Sequence, residues 1–272
     1  MSKRMKQYGR NLATKTMALL AGILIAHQAN AQIYGINFLG NTPSDPITGA
    51  AGVVSISGWN NIANSSFTTG TITSSSGLSP ATLTLSGHAG NAWRSSGTGD
   101  GGNGSLMDGY MDIGNNGAGT ATISGLVSGQ LYNIYLYTFG DGTRPGNNGD
   151  LLPNYNVNGT TYYVPTLGVG PSTFNATSTT VGGPFSGFVQ GTTYNANFNT
   201  ATANASDFGN YIVIQNVAAT GGILTISGGV DSTSFRSPLN GIELVAVVPE
   251  PTTLALSVAG LAMLGLIRRR NK

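Results

Sequence analysis

Between residues 32 and 247 the sequence consists of short runs of β-branched and aromatic residues, each ended by Gly, Asn, Ser or Pro. This pattern favours many short strands joined by turns, and no stretch has the apolar spacing of an amphipathic helix. No fixed-length repeat indicates a solenoid. With 41 glycines in 272 residues, apolar residues must be gathered from many strands to form a core. We therefore predict an all-β domain over residues 32–247, a β-sandwich of the jelly-roll type.

About a dozen strands are expected in this domain. They are predicted at residues 33–39, 52–57, 81–85, 109–113, 121–124, 132–138, 155–157, 161–164, 187–190, 211–216, 222–227 and 241–247. Alternation is clearest in 132–137 and 242–246, where the even-numbered residues are expected to share one face of a sheet. Glu243 lies in the last of these strands and is the only Glu of residues 32–247.

Charge is concentrated at the two ends of the chain. The formal net charge is +2, but residues 32–247 contain three arginines against nine acids, which leaves that part at −6. A body of this sign repels phosphate backbones, so we predict no nucleic-acid partner. The chain has no Cys, which excludes thiol catalysis and Cys-ligated zinc.

Residues 1–31 have the three parts of a secretory signal peptide. Five basic residues lie before position 16, ten apolar residues cover 17–26, and the small residues Ala29 and Ala31 flank Asn30. We expect signal peptidase to cleave after Ala31. The alternative is an uncleaved anchor, for which ten apolar residues are a short span.

Residues 248–272 combine a proline motif, an apolar run and a basic tail. The motif is Pro249, Glu250 and Pro251, the apolar run is 252–267, and the tail 268–272 contains Arg268, Arg269 and Arg270. The prolines hold the chain before them extended, and the sixteen uncharged residues that follow suit a short transmembrane helix. The basic tail is expected to stay cytoplasmic, which places residues 32–247 outside.

This order of motif, helix and basic cluster resembles the PEP-CTERM sorting signal of bacteria that carry an exosortase. The resemblance covers residues 248–272 alone. It implies that a membrane-embedded exosortase recognises the segment and removes the tail near Pro-Glu-Pro, with Glu250 as a recognition element. The protein would be held transiently in the inner membrane and then reach the cell surface or the extracellular matrix of an exopolysaccharide biofilm. The alternative is a plain single-pass anchor.

Short phrases of the body resemble galactose-binding-like and malectin-like jelly rolls. They are Ile-Asn-Phe at 36–38, the alternating strand 132–137, the segment 155–159, and a final strand that opens with Asn-Gly-Ile at 240–242. Those domains commonly bind carbohydrate. The resemblance therefore implies a jelly roll and a polysaccharide partner.

Catalytic residues are scarce in the body. His88 is its only His, so a nucleophile would have one candidate base, and a lone loop His is usually a solvated turn residue. Asp108 and Asp112 fall on one side of a predicted strand, but roughly 13 Å apart along it, which is too far for glycoside hydrolysis. We predict that the protein is not an enzyme.

Two Gly-rich loops, 99–104 and 141–150, offer oxygen ligands of the kind that calcium accepts. Their weak candidate ligands are Asp100, Asn103, Asp141 and Asp150. Neither loop has the EF-hand spacing, and loops of this composition are more often ordinary turns. We expect no cofactor, with calcium as the one alternative.

Sugar binding would use aromatic faces and planar polar groups at loop ends. The candidates are Trp93, Arg94, Tyr110, Tyr137, Asp141, Arg144 and Tyr155. Each ring could instead pack in the core, and the same two alternatives apply to Trp59.

Three hypotheses follow from the sequence. The first is an exported, exosortase-sorted surface or matrix protein that associates with polysaccharide without catalysis. The second is a structural or adhesive matrix component with no discrete ligand site, which would self-associate through sheet edges. The third is a glycan-processing enzyme, which requires a converging pair of acids of which at least one has a shifted pKa.

Overall fold

The computed structural model describes most of the predicted body. The described residues are 32–39, 46–63, 68–77, 79–87, 101–113, 119–138, 153–164, 187–194, 209–229 and 237–248. All of them except Val248 belong to a compact unit that spans Gln32–Val247. The predicted signal peptide at 1–31 and the predicted sorting segment from Pro249 onward lie outside the described residues.

The described chain contains thirteen short strands and one short helix. The strands are β1 (Ile33–Phe38), β2 (Asn60–Ile62), β3 (Thr69–Thr73), β4 (Pro80–Ser86), β5 (Met111–Asp112), β6 (Thr120–Ser124), β7 (Leu131–Tyr137), β8 (Asn154–Val157), β9 (Thr160–Tyr163), β10 (Tyr211–Ala218), β11 (Ile223–Gly229), β12 (Pro238–Leu239) and β13 (Gly241–Ala246). The helix, α1 (Asn103–Asp108), lies between β4 and β5. No helix of the described ranges is long and apolar enough to cross a membrane.

The strands form two large sheets and one small one. The five-stranded sheet has the order β10-β7-β13-β1-β2, the six-stranded sheet has the order β3-β4-β6-β11-β8-β9, and β12 pairs with β5. Neighbouring strands are antiparallel except β1 and β2, which are parallel. The two sheets pack around a shared apolar core, so the predicted all-β sandwich is confirmed.

The core is built from the inward side chains of both sheets. Ile36, Leu136 and Leu244 of the five-stranded sheet lie in one buried cluster with Leu83 and Ile123 of the six-stranded sheet. Because side chains alternate across a strand, every second residue of β4, β6, β7 and β13 points inward. The faces predicted for 132–137 and 242–246 are therefore confirmed.

Two predicted strands are wrong. Residues 52–55 form a turn whose flanking residues, Ala51 and Ile56, pair with each other, because Gly52 has a φ of +96° that a strand does not tolerate. At 187–190 only Gln190 pairs, with Tyr211. Strands β2, β3 and β12 and helix α1 were not predicted, because their few apolar residues show no usable period.

Candidate functional site

Three of the predicted sugar-binding residues lie in the described chain, and all three are buried. Tyr110, Tyr137 and Tyr155 have exposed fractions of 1%, 0% and 0%. The Tyr155 hydroxyl lies 2.8 Å from the Thr138 hydroxyl and donates to the carbonyl of Pro238. The prediction that these rings offer a face to solvent is therefore wrong, because burying a large ring contributes more to the fold than leaving it exposed.

The other predicted site residues fall mostly outside the described chain. Those residues are Ala29, Ala31, Trp93, Arg94, Asp100, Asp141, Arg144, Asp150, Pro249, Glu250, Pro251, Arg268, Arg269 and Arg270. Asn103 is described, and its Oδ1 accepts a hydrogen bond from the Gly52 amide at 2.9 Å. Within the described ranges no group of three or more His, Asp or Glu side chains is placed to hold a metal ion.

The outer face of the five-stranded sheet is covered by residues 46–59, which we call the covering segment. Ile47, Ile56 and Trp59 of this segment form a second buried cluster with Leu106 of α1 and with Tyr137. The indole of Trp59 is 6% exposed and donates to the carbonyls of Ala51 and Ile56, each at 3.2 Å. Trp59 is thus a packing residue that closes the turn of the covering segment onto the sheet.

A single acid, Glu243, lies beneath this segment. In β13 it alternates with the core residues Ile242 and Leu244, so its side chain points to the outer face of the sheet. Its neighbours across the strands are Tyr135 of β7 and Gly35 of β1. Glu243 is 0% exposed, so the carboxyl group has no contact with solvent.

The carboxyl group is held by one phenol and by the turn above it. Tyr137 Oη donates to Glu243 Oε2 at 2.7 Å and accepts from the Val53 amide at 2.7 Å. The Val54 amide makes a longer contact of 3.4 Å with the same Oε2. Glu243 Oε1 has no hydrogen-bond partner among the described residues. The amides of Val53 and Val54 therefore bond to the Tyr137 hydroxyl and the Glu243 carboxyl group, in place of the backbone carbonyls of a neighbouring strand.

Two glycines allow this close packing. A Cβ on Gly35 would lie 2.7 Å from the Trp59 ring. A Cβ on Gly52 would lie 2.9 Å from the same ring and 3.0 Å from Glu243 Oε2. Gly52 also needs its positive φ, which other residues rarely adopt. Larger residues at either position would lift the covering segment away from the acid.

Burial determines the protonation of the pair. Loss of solvation raises the pKa of Glu243 to about 7, although the Tyr137 and Val54 hydrogen bonds act in the opposite direction. Loss of solvation also raises the pKa of Tyr137, and the negative charge of an ionised Glu243 would raise it further. Below neutral pH the pair is therefore an uncharged carboxylic acid bonded to an uncharged phenol.

An aromatic cluster surrounds the pair. The ring of Tyr137 lies 6.1 Å from Trp59, 5.2 Å from Phe188 and 6.2 Å from Tyr211, measured between ring centroids. These rings form the apolar surroundings of the Tyr137 side chain. A shifted pKa is a common mark of an active site, but it also occurs in structural networks. The described partners of Glu243 include no second carboxyl group, and the enclosed geometry favours a structural role.

Sequence reasoning identified Glu243 but assigned it no role. The available signal was its position, a lone Glu between apolar residues of an alternating strand. In a sheet with one solvated face, that position predicts exposure. Glu243 is buried because the covering segment, which is distant in the sequence, packs over it.

The outer face of the six-stranded sheet carries small polar side chains instead. In β4 the residues Thr82, Thr84 and Ser86 are exposed and alternate with the buried Ala81, Leu83 and Leu85. Strands β3 and β6 repeat this pattern with further threonines and one serine, which are exposed or half-exposed. On β11 this face also carries Ile223, which is 43% exposed and pairs with Ser124 of β6.

No family model matches the sequence, and no curated protein matches it either. Two crystal structures of an exo-beta-1,3-galactanase from Phanerochaete chrysosporium, one of a variant with beta-1,3-galactotriose and one with galactose, align with half of the chain. The TM-scores are 0.27 and 0.26 at 14% identity, and the aligned part spans 23% of each galactanase chain. Likeness at this level does not bear on ligand or activity.

Proposed function

We propose that the protein is exported, is sorted by an exosortase through residues 248–272, and then acts without catalysis at the cell surface or in the extracellular matrix, in association with polysaccharide. The observation that carries the proposal is the order of the tail: Pro249-Glu250-Pro251, sixteen uncharged residues, then three consecutive arginines. A signal-peptide pattern at residues 1–31 supports the same route.

The body supports a binding role more than a catalytic one. Its one buried Glu is enclosed beneath the covering segment, where no substrate could reach the carboxyl group. The side chains that β3, β4 and β6 present to solvent are mostly uncharged hydroxyls. We propose that the sandwich is a jelly roll, which is supported by the way the chain crosses between the sheets at β6–β7, β7–β8, β9–β10 and β10–β11.

The sorting proposal is tested by expressing the full chain in an exosortase-carrying host and in the same host without the exosortase gene. The intact mass of the product and its cell fraction are measured. We expect a product shortened near Pro249 outside the inner membrane in the first host, and a full-length tail in the membrane in the second. The triple change Pro249→Ala, Glu250→Ala and Pro251→Ala should reproduce the second result in the first host.

The adjacent change Thr252→Ala with Thr253→Ala is the matched control and should leave processing intact. If the triple variant is processed like the wild type, the segment is a plain anchor and the sorting proposal is wrong. Release of reducing sugar from a polysaccharide by the purified full chain would contradict the non-catalytic part of the proposal. The two parts therefore fail on separate readouts.

A further inference from the structure

We infer that the outer face of the six-stranded sheet is a binding site for a neutral polysaccharide chain. This inference rests on the proposed polysaccharide association and specifies its site and its ligand class. We call this surface the hydroxyl face. Its members are Thr69, Thr71, Thr82, Thr84, Ser86, Thr120, Thr122, Ser124, Asn156, Thr161, Thr225 and Ser227.

The strand register aligns these side chains in rows across the sheet. One row joins Thr69, Thr84, Thr122 and Thr225, which are paired in turn from β3 to β11. A second row runs through Ser86, Thr120, Ser227, Asn156 and Thr161, from β4 to β9. A third row runs through Thr71, Thr82 and Ser124 and continues to the exposed apolar residue Ile223 of β11.

Strand geometry fixes the spacing of the array. Neighbouring members of a row lie about 4.8 Å apart, and successive rows lie about 6.8 Å apart along the strands. A row of five strands therefore extends for roughly 19 Å. That length accommodates several consecutive units of an extended polymer, so one chain can contact a whole row.

The chemistry of the face selects an uncharged, hydroxyl-rich ligand. Hydroxyl groups both donate and accept hydrogen bonds, as do the hydroxyls of a sugar. The twelve positions contain no charged residue, so they offer no cation to a polyanion. The body as a whole carries −6, which repels anionic polymers further. The threonine methyl groups and the exposed side chain of Ile223 provide apolar contacts beside the hydroxyls.

The side chains are also held in place before a ligand arrives. Threonine is stiff at χ1, so a Thr-rich strand loses little rotamer freedom on binding. Two side-chain hydrogen bonds hold the ends of the array: Thr69 to Thr84 at 3.2 Å and Asn156 to Thr161 at 3.1 Å. The remaining hydroxyls are free to exchange water for sugar.

Each such exchange gains little, because a bond to water is replaced by a similar bond to sugar. Useful affinity therefore requires many contacts from one polymer, which raises the effective concentration at each successive position. We expect long polymers to bind and short oligosaccharides of the same sugar to compete poorly. We also expect binding to persist at high salt, because no ion pair contributes.

The test is affinity electrophoresis of the full processed chain in native gels that contain one polymer each. The neutral probes are a β-glucan, a galactan and a mannan, and the anionic probe is alginate. We expect at least one neutral polymer to retard the protein and alginate to have no effect. The double variant Thr84→Val with Thr122→Val, in the middle of the first row, should raise the apparent Kd at least tenfold.

Valine keeps the shape and the β-branching of threonine, so these variants should fold, and their thermal midpoints verify it. A second double variant, Thr120→Val with Ser227→Ala, tests the longest row. The control is Thr160→Val in β9, one residue out of register with the face. Binding that both double variants retain would leave polysaccharide association in place and overturn the site. If no neutral polymer retards the protein, both the polysaccharide association and the site on the hydroxyl face are wrong. Exosortase processing is tested separately by the experiment described above.

Discussion

Both outer faces of the sandwich are built from alternating strand residues, but one face is covered and the other is exposed to solvent. On the five-stranded sheet the outward residues include Tyr135, Tyr137 and Glu243, and the covering segment buries the last two completely. On the six-stranded sheet the outward residues are mostly threonine and serine, and they remain open to solvent. The difference lies in what packs on each sheet.

The composition of each face matches its environment. The covered face combines large rings with glycines, since Gly35 and Gly241 leave the space that Trp59 and Leu106 occupy. The open face uses β-branched residues that suit a strand without needing a partner. A polar residue is thus tolerated on both faces for different reasons. Glu243 is enclosed and hydrogen-bonded, whereas Thr84 is solvated.

The largest expected effect is on the covered face. Trp59→Ala should lower the free energy of unfolding by about 3–5 kcal/mol, because it removes the ring that links the covering segment to the sheet and leaves a cavity. Urea unfolding of the full chain, followed by fluorescence of the remaining tryptophan and by circular dichroism, measures the change. A loss below about 1 kcal/mol would show that the covering segment contributes little to stability and would remove the contrast between the faces.

The second effect is a pH dependence that only the covered face should produce. The unfolded chain releases the Glu243 proton near pH 4.5, whereas the folded chain holds it to about pH 7. Between these values the unfolded state binds fewer protons, so stability falls as pH rises. The decrease should be about 3 kcal/mol over this window, with no further change from Glu243 above it. Urea unfolding across the pH range gives the curve.

Glu243→Gln is the control for that curve. The amide cannot ionise but keeps an acceptor for Tyr137, so the variant should lose the decrease while it remains folded. Other acids contribute equally to both proteins, and the difference between the two curves isolates Glu243. Identical pH dependence in the two proteins would show that the carboxyl group titrates normally, in contradiction to its burial.

A smaller effect is expected from Tyr137→Phe. The ring remains, but the Val53 amide loses its acceptor and Glu243 loses its donor. Leaving buried polar groups without partners should cost about 1–3 kcal/mol. Because the phenol stabilises the ionised acid, its loss should also move the pH midpoint of Glu243 upward.

Tyr162→Phe, on the edge strand β9, is the matched control and should change the free energy of unfolding by less than about 0.5 kcal/mol. Equal losses in the two variants would mean that the hydroxyl of Tyr137 has no special role. In that case the turn would be held by the packing of Trp59 and Ile56 and by the hydrogen bonds of Trp59 and Asn103.

The central strands of the two sheets were predictable from the sequence because the pattern that marks them is local, whereas the edge strands β2 and β3 were not. The period of two in 132–137 and 242–246 predicts which residues enter the core, and burial confirms it for Ile134 and Leu244. The absence of Cys also excluded thiol catalysis and Cys-ligated zinc, and the negative charge of residues 32–247 argued against a nucleic-acid partner. Nothing more than alternation and composition was needed for these statements.

The covered site was not predictable because its contacts join distant parts of the chain. The turn amides of Gly52, Val53 and Val54 bond to side chains 51, 84 and 189 residues away. A local pattern therefore suggested a strand at 52–57, where the structure has a turn. In the same way, Tyr137 appeared as a candidate for an exposed ring because nothing in its own strand indicates the segment that covers it.

The smallest expected effect is on the hydroxyl face, and it tests directly whether that face is exposed to solvent. Thr84→Val removes one exposed hydroxyl whose partner, Thr69, can bond to water instead. The free energy of unfolding should change by less than about 0.5 kcal/mol, since valine suits a strand as well as threonine does. A loss above about 1 kcal/mol in urea unfolding would mean that this hydroxyl is buried under another element. The six-stranded sheet would then have two covered faces, and no surface would be left for a ligand.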